Sequence, residues 1–187
     1  MPGPSVSRLS SLPGREQGLQ EEIAIILPAG AVAGAVVIIG SGNLMTQIQK
    51  QIAEADLTDT VICMGQIPYS QLFSYTCGAV LGVSLEEHIG LNYYYALPNK
   101  IFDYIQSHVP ILVSDLPEMK NIVTQYMCGE IVQQRNPYNL AQQMMGMLSD
   151  TEKYNRYEAH AKQAASVLNW EHEEKKLLAV YADVCDA

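Results

Sequence analysis

Positive charge is scarce in this sequence. Lys and Arg together number 11 against 20 Asp and Glu, a net charge of −9. A nucleic-acid platform would show a basic stripe, so nucleic acid is not an expected partner. A nucleotide-sized anion needs only local positive potential and stays open. Cysteine is also sparse. Cys63, Cys77, Cys128 and Cys185 form no CxxC, and no histidine stands close enough to complete a zinc set. Reduced thiols in a cytosolic protein are the expectation. No Asp-x-Asp occurs, which leaves a carboxylate-bound metal carrying a nucleotide diphosphate without obvious ligands. Neither a metal nor a resident cofactor is expected. A basic stretch followed by an apolar one is missing from the N-terminus, so no signal peptide is expected. The charge-free run from Ile23 to Gly42 is about the length of a membrane span. Pro28, Gly30 and Gly34 interrupt it, and it ends in the β-branched AVVIIGSG. It reads as the end of a helix, a turn and a buried parallel strand.

What is present is a chain of 187 residues, 48% hydrophobic and 17% charged, which suits one globular domain with a substantial core. Residues 1–13, rich in Pro, Ser and Gly, read as a mobile lead, and residues 14–187 as the domain. Within it, continuously apolar strand-like runs (AVVIIG from residue 35, TVICM from 60, AVLGVS from 79, ILVS from 111, a last one near Glu130) alternate with helical patterns, and helices fill the remainder. That alternation predicts an α/β fold with a doubly wound, Rossmann-like parallel sheet. Ligands in such sheets bind beyond the carboxyl ends of the strands. Attention therefore falls on the loops 40–43, 65–68, 85–90 and 114–117.

The segment Pro98-Asn99-Lys100-Ile101-Phe102-Asp103 reads as a helix start with Asn99 as N-cap. Ile101, Phe102 and Ile105 share an apolar face, leaving Lys100 and Asp103 off it. A helix start carries free N–H groups and partial positive charge, which suits phosphate, and Lys100 adds a full charge. Helical side chains lean toward the N-terminus, so Asp103 leans toward the same mouth and could accept hydrogen bonds from ribose hydroxyls. The plain alternative is an acid favouring the helix dipole beside a solvated lysine. Glu86 and Glu87 follow a strand and precede Gly90, so they could line a sugar site or a solvated loop. Gly40-Ser41-Gly42 sits between strand and helix as phosphate-binding turns do, but lacks the third glycine of GxGxxG. Asp115-Leu116-Pro117-Glu118 has capping-box spacing. Tyr93, Tyr94 and Tyr95 could pack on a base or sugar, or cover a sheet edge. His108 and His160, on helices, and His172, among acids, read as structural or surface groups.

Together these segments resemble the C-terminal, donor-binding domain of group 1 glycosyltransferases with the GT-B fold. The resemblance is carried by VVIIGSGNL, VICMGQIPYSQLFSY and AVLGVSLEEHIGLNYYYALPNKIFDYIQSHVPILVSDLPEMKNIV, with LNWEHEEKKLLAVY resembling the family's ending. It covers roughly residues 14–182. It implies retaining transfer of a hexose-type sugar from a nucleotide diphosphate sugar to an acceptor hydroxyl, as in polysaccharide biosynthesis. Glu87 with Gly90 resembles the loop of the family's first acid, which touches the donor sugar, with Glu86 as the alternative. Asp103 occupies the position of the second acid, which meets the ribose. Here that acid is aspartate, and 15 residues separate it from Glu87, a wider gap than the family's usual one. Lys100 would hold the leaving diphosphate. Arg15 resembles the basic residue of the diphosphate loop, Gly42 belongs to the glycine turn, and Gly65 and Ile67 stand where backbone brackets the base.

A complete enzyme of this fold has two such domains, so the resemblance also implies a missing N-terminal acceptor domain. It implies a cytoplasmic location, with peripheral contact at the inner face of a membrane through that domain. The chain alone is then expected to be inactive. A nucleotide-sugar 2-epimerase of the same fold, a non-catalytic doubly wound binding module, and a receiver domain are the rival readings. The last lacks its paired acids after the first strand.

Overall fold

The computed structural model describes the backbone of residues 21–25 and residues 35–185 in full; residues 1–13, expected as a mobile lead, and Arg15 lie outside them. Six strands form one sheet in the order β3-β2-β1-β4-β5-β6, where β1 is Glu21–Ile25, β2 Val36–Gly40, β3 Val61–Gly65, β4 Leu81–Ser84, β5 Ile111–Val113 and β6 Gly129–Ile131. β2 pairs parallel with β3, and β4–β5 and β5–β6 are parallel. This is the strand order of a doubly wound nucleotide-binding sheet, and the α/β expectation holds. β1 departs from it. Residues 23–25, expected as the end of a helix, form a strand that runs antiparallel to both β2 and β4. A short apolar run does not distinguish strand from helix by periodicity, and only pairing decides.

Helices α1 (Met45–Glu54), α2 (Tyr69–Thr76), α3 (Leu91–Tyr94), α4 (Asn99–Gln106), α5 (Pro117–Tyr126), α6 (Pro137–Ser149), α7 (Thr151–Ala165) and α8 (Trp170–Cys185) complete the chain. The side-chain alternation of β5 divides the core in two. Ile111 and Val113 join Ile101, Tyr104 and Ile105 of α4, Met119 and Val123 of α5, and the alanines of α7. Leu112 points the other way and packs with Leu81, Val83, Val132 and Met147 of α6. Both faces are therefore covered, which is why these strands are apolar throughout.

Two details place the site. Gly82 on β4 faces the Tyr104 ring so closely that a Cβ there would fall among the ring carbons. The bare glycine lets α4 lie against the sheet. At the carboxyl end of β4, Ser84 pairs with Val113, and the Ser114 N–H donates to the Ser84 carbonyl at 2.9 Å. The loops leaving β4 and β5 thus start side by side.

Three local expectations are corrected. Asn99 is the first residue of α4 rather than its cap; Pro98 holds the cap position, and no side chain caps the helix. Leu116, not Asp115, caps α5, and the Asp115 carboxylate pairs with Lys120 at 2.8 Å instead. His108 lies just beyond α4 with a positive φ of 61° rather than within a helix. His160 is on α7, its Nδ1 3.1 Å from the Met127 carbonyl.

Candidate functional site

The carboxyl ends of β4, β5 and β6 carry a linked set of charged and polar groups. Glu86 follows β4 by two residues, and its Oε1 lies 2.8 Å from the Lys100 ammonium on the first turn of α4. Their side chains are only 17% and 12% exposed. The second carboxylate oxygen accepts a 2.7 Å hydrogen bond from the Ser84 hydroxyl. The main chain of Glu86 is held as well. Its carbonyl accepts from the Ser114 hydroxyl at 2.7 Å and from Arg135 Nη1 at 2.6 Å. Arg135 Nη2 donates to the Leu85 carbonyl at 2.5 Å and stands 3.9 Å from Glu87 Oε1. Arg135 follows β6 by four residues and thus ties the β6 loop to the β4 loop.

Of the two acids, Glu86 is therefore turned inward and bonded through both oxygens, whereas Glu87 is exposed with one long contact. The sequence reading left the choice between them open and missed Arg135 altogether. The signal was there: a single arginine in the loop beyond the last strand, just ahead of the Asn136-Pro137 start of α6.

Asp103 lies three residues past Lys100 on α4, beside a cavity of about 60 Å³ shared with Tyr69, Leu72, Phe73 and Thr76 of α2. Burial pushes its pKa above the usual 3.8. Among the described residues its carboxylate has no hydrogen-bond or ion-pair partner. Ile101, Tyr104 and Ile105 are the buried face of the helix, with Phe102 half-buried rather than fully inside. That face fixes the rotation of α4, setting Lys100 toward the strand ends.

Gly42, in the turn ahead of α1, and Gly65, at the end of β3, lie at the carboxyl ends of the other parallel strands. Gly65 has φ of +68°, a conformation that side chains rarely adopt. Ile67 is half-buried in the short link from Gly65 to α2. The Tyr94 ring stacks 4.3 Å from His88 and packs against the core, while Tyr95 is exposed. None of the four cysteines forms a disulfide; burial pushes the Cys128 thiol up to about 11. Among the described residues, no three His, Cys, Asp or Glu side chains are grouped to hold a metal ion, and no helix is long and apolar enough to cross a membrane.

The fold and site define a doubly wound α/β domain with its charged groups gathered at the carboxyl ends of parallel strands. The profile described as "Glycosyl transferases group 1" matches residues 33–164, and the chain belongs to that family. Its fold is similar to that of sucrose-phosphate synthase from Thermosynechococcus elongatus, at 19% identity and a TM-score of 0.66, over 80% of this chain and 38% of that one. WaaG, a glycosyltransferase involved in lipopolysaccharide biosynthesis, matches at 12% identity and a TM-score of 0.57, over 76% of this chain and 36% of its own. Anabaena HepE in complex with UDP matches at 15% identity and a TM-score of 0.54, over 71% and 36%. The chain thus spans well under half the length of these solved structures. Among curated proteins, nothing matches it.

Proposed function

We propose that this chain is the donor-binding half of a retaining glycosyltransferase that moves a hexose-type sugar from a nucleotide diphosphate sugar to an acceptor hydroxyl. The observation that carries the reading is the first turn of α4. It sets Lys100 at the strand ends and, three residues on, puts beside a cavity the Asp103 carboxylate, which has no partner among the described residues. A cation and a carboxylate so spaced suit a diphosphate and the ribose hydroxyls next to it.

In this reading Lys100 takes the negative charge that develops on the departing diphosphate, and α4's free N–H groups assist. Asp103 accepts from the ribose. The Gly65–Ile67 backbone, which leads into the α2 face of the same cavity, brackets the base. Glu87 faces the sugar, and the acceptor hydroxyl attacks from the side the leaving group occupies. The donor is held without a metal. The family membership and the UDP carried by HepE support a nucleotide sugar as ligand.

On this reading an N-terminal acceptor domain, with peripheral membrane contact through it, is a partner to this chain. Half a cleft is expected to bind nucleotide with affinity on the order of millimolar and to transfer no sugar alone. Thermal melting of the chain against UDP, GDP, ADP and CMP tests this. A nucleotide at 100 times its dissociation constant stabilises by ~2.7 kcal/mol. One nucleotide should raise the midpoint, and Lys100→Ala and Asp103→Ala should each abolish the rise. A rise that survives both substitutions refutes the site.

A further inference from the structure

Lys100 already has an anion. Its ammonium sits 2.8 Å from Glu86 Oε1, and both side chains are largely buried. Any diphosphate that reaches Lys100 meets a cation already paired with a carboxylate. Nor is Glu86 arranged to withdraw. Its other oxygen is bonded by Ser84 at 2.7 Å, and its carbonyl is pinned by Ser114 at 2.7 Å and Arg135 at 2.6 Å. The mobile partner is the long, flexible lysine stem.

We propose that Glu86 is a built-in counter-anion that competes with the diphosphate for Lys100 and keeps the leaving nucleoside diphosphate weakly held. This rests on the donor-site reading above and goes further, assigning Glu86 to Lys100 and leaving Glu87 to face the sugar. A transferase must let its nucleotide product go, and an internal carboxylate on the diphosphate's own cation limits how tightly that product binds. Arg135 is then a positioning residue. It keeps the Glu86 main chain in place, so that the carboxylate stays on Lys100 when the site is empty.

The sign of this proposal is its test. If Glu86 merely supported the site, removing its charge would weaken anion binding; as a competitor, its removal strengthens it. Inorganic pyrophosphate and the four nucleotides UDP, GDP, ADP and CMP are titrated calorimetrically into the wild type, Glu86→Gln, Lys100→Gln and the double variant. Glu171→Gln, which removes an exposed charge on α8, serves as the control for net charge. Glu86→Gln should bind pyrophosphate about tenfold more tightly, a gain absent in the Lys100→Gln background and in Glu171→Gln. Unchanged or weaker binding by Glu86→Gln overturns the proposal. If pyrophosphate tightens but no nucleotide binds better than pyrophosphate, the counter-anion role stands and the donor reading falls. If a nucleotide binds the wild type and Glu86→Gln does not tighten it, the donor reading stands and the counter-anion role falls. Should Glu86→Gln fail to fold, the Lys100 ammonium signal of the wild type, followed by nitrogen-detected NMR, decides instead. It shifts as pyrophosphate is added if the lysine changes partner, and stays fixed if the proposal is wrong.

Discussion

The carboxyl of Asp103 is half-buried on α4, and desolvation raises its pKa above 3.8. A raised carboxylate pKa means that the folded chain holds the proton more tightly than the unfolded one. Asp103 therefore costs stability once the pH exceeds its folded pKa, and the cost fades as pH falls toward 3.8. Asp103→Asn should raise the melting midpoint at pH 7 and have progressively less effect in acid, while removing the nucleotide response. Scanning calorimetry across that range, with and without nucleotide, checks both halves; a lower midpoint at pH 7 contradicts the first. Ser114 behaves in the opposite way. Its hydroxyl is buried and donates to the Glu86 carbonyl, which Arg135 also contacts. Ser114→Ala should destabilise by about 1 kcal/mol in urea melts, because the acceptor it leaves keeps a second donor. A loss several times larger would mean that Arg135 does not hold the loop unaided.

At the scale of elements, the packing of α4 on β4 decides where Lys100 points. Gly82 admits the Tyr104 ring, so Gly82→Ala should force the helix outward. Overpacking of this kind costs typically ~1–3 kcal/mol. The same shift should weaken nucleotide stabilisation even though residue 82 touches no ligand. Denaturant melts with and without nucleotide separate these effects, and an unchanged response would mean that α4 tolerates displacement. Much of this architecture was legible in the sequence. The apolar runs ending in Gly40, Gly65 and Ser84 gave the parallel strands, and the Ile101–Ile105 spacing gave the buried face of α4. Termini were less legible, because Asn99 and Asp115 are good caps by type but the backbone path around Pro98 starts α4 one residue earlier, and that around Leu116 starts α5 one residue later. The direction of β1 was not legible at all, since an EEIAI run pairs equally well either way and only its neighbours choose. Arg135 escaped because its meaning lies in contacts 49 and 50 residues away in sequence. The paired state of Glu86 is a long-range fact of the same kind.

For the molecule as a whole, α8 stands apart. Trp170, Leu177, Leu178, Tyr181 and Val184 fall at spacings that gather them along one side of the helix, and each is between 46% and 70% exposed. The helix has no buried residue, whereas the preceding α7 buries Ala161, Ala164 and Ala165 in the core. Among the described residues, the last hydrogen bonds between this end of the chain and the rest are made before α8 begins. Gln106 donates to the carbonyls of Ala165 and Leu168, and Asn169 donates back to Ala165. Side chains that are exposed in the folded state lose little when removed. A chain ending at Asn169 should therefore unfold cooperatively, with stability within about 0.5 kcal/mol of the full chain. Amide exchange should place α8 among the first segments to open, well ahead of the β5 amides. A second truncation ending at Asp150 is the contrast, since it strips α7 from the core and should abolish the cooperative transition. If the first truncation lowers stability by several kcal/mol, the stripe of α8 is covered within this chain rather than left for another surface to meet.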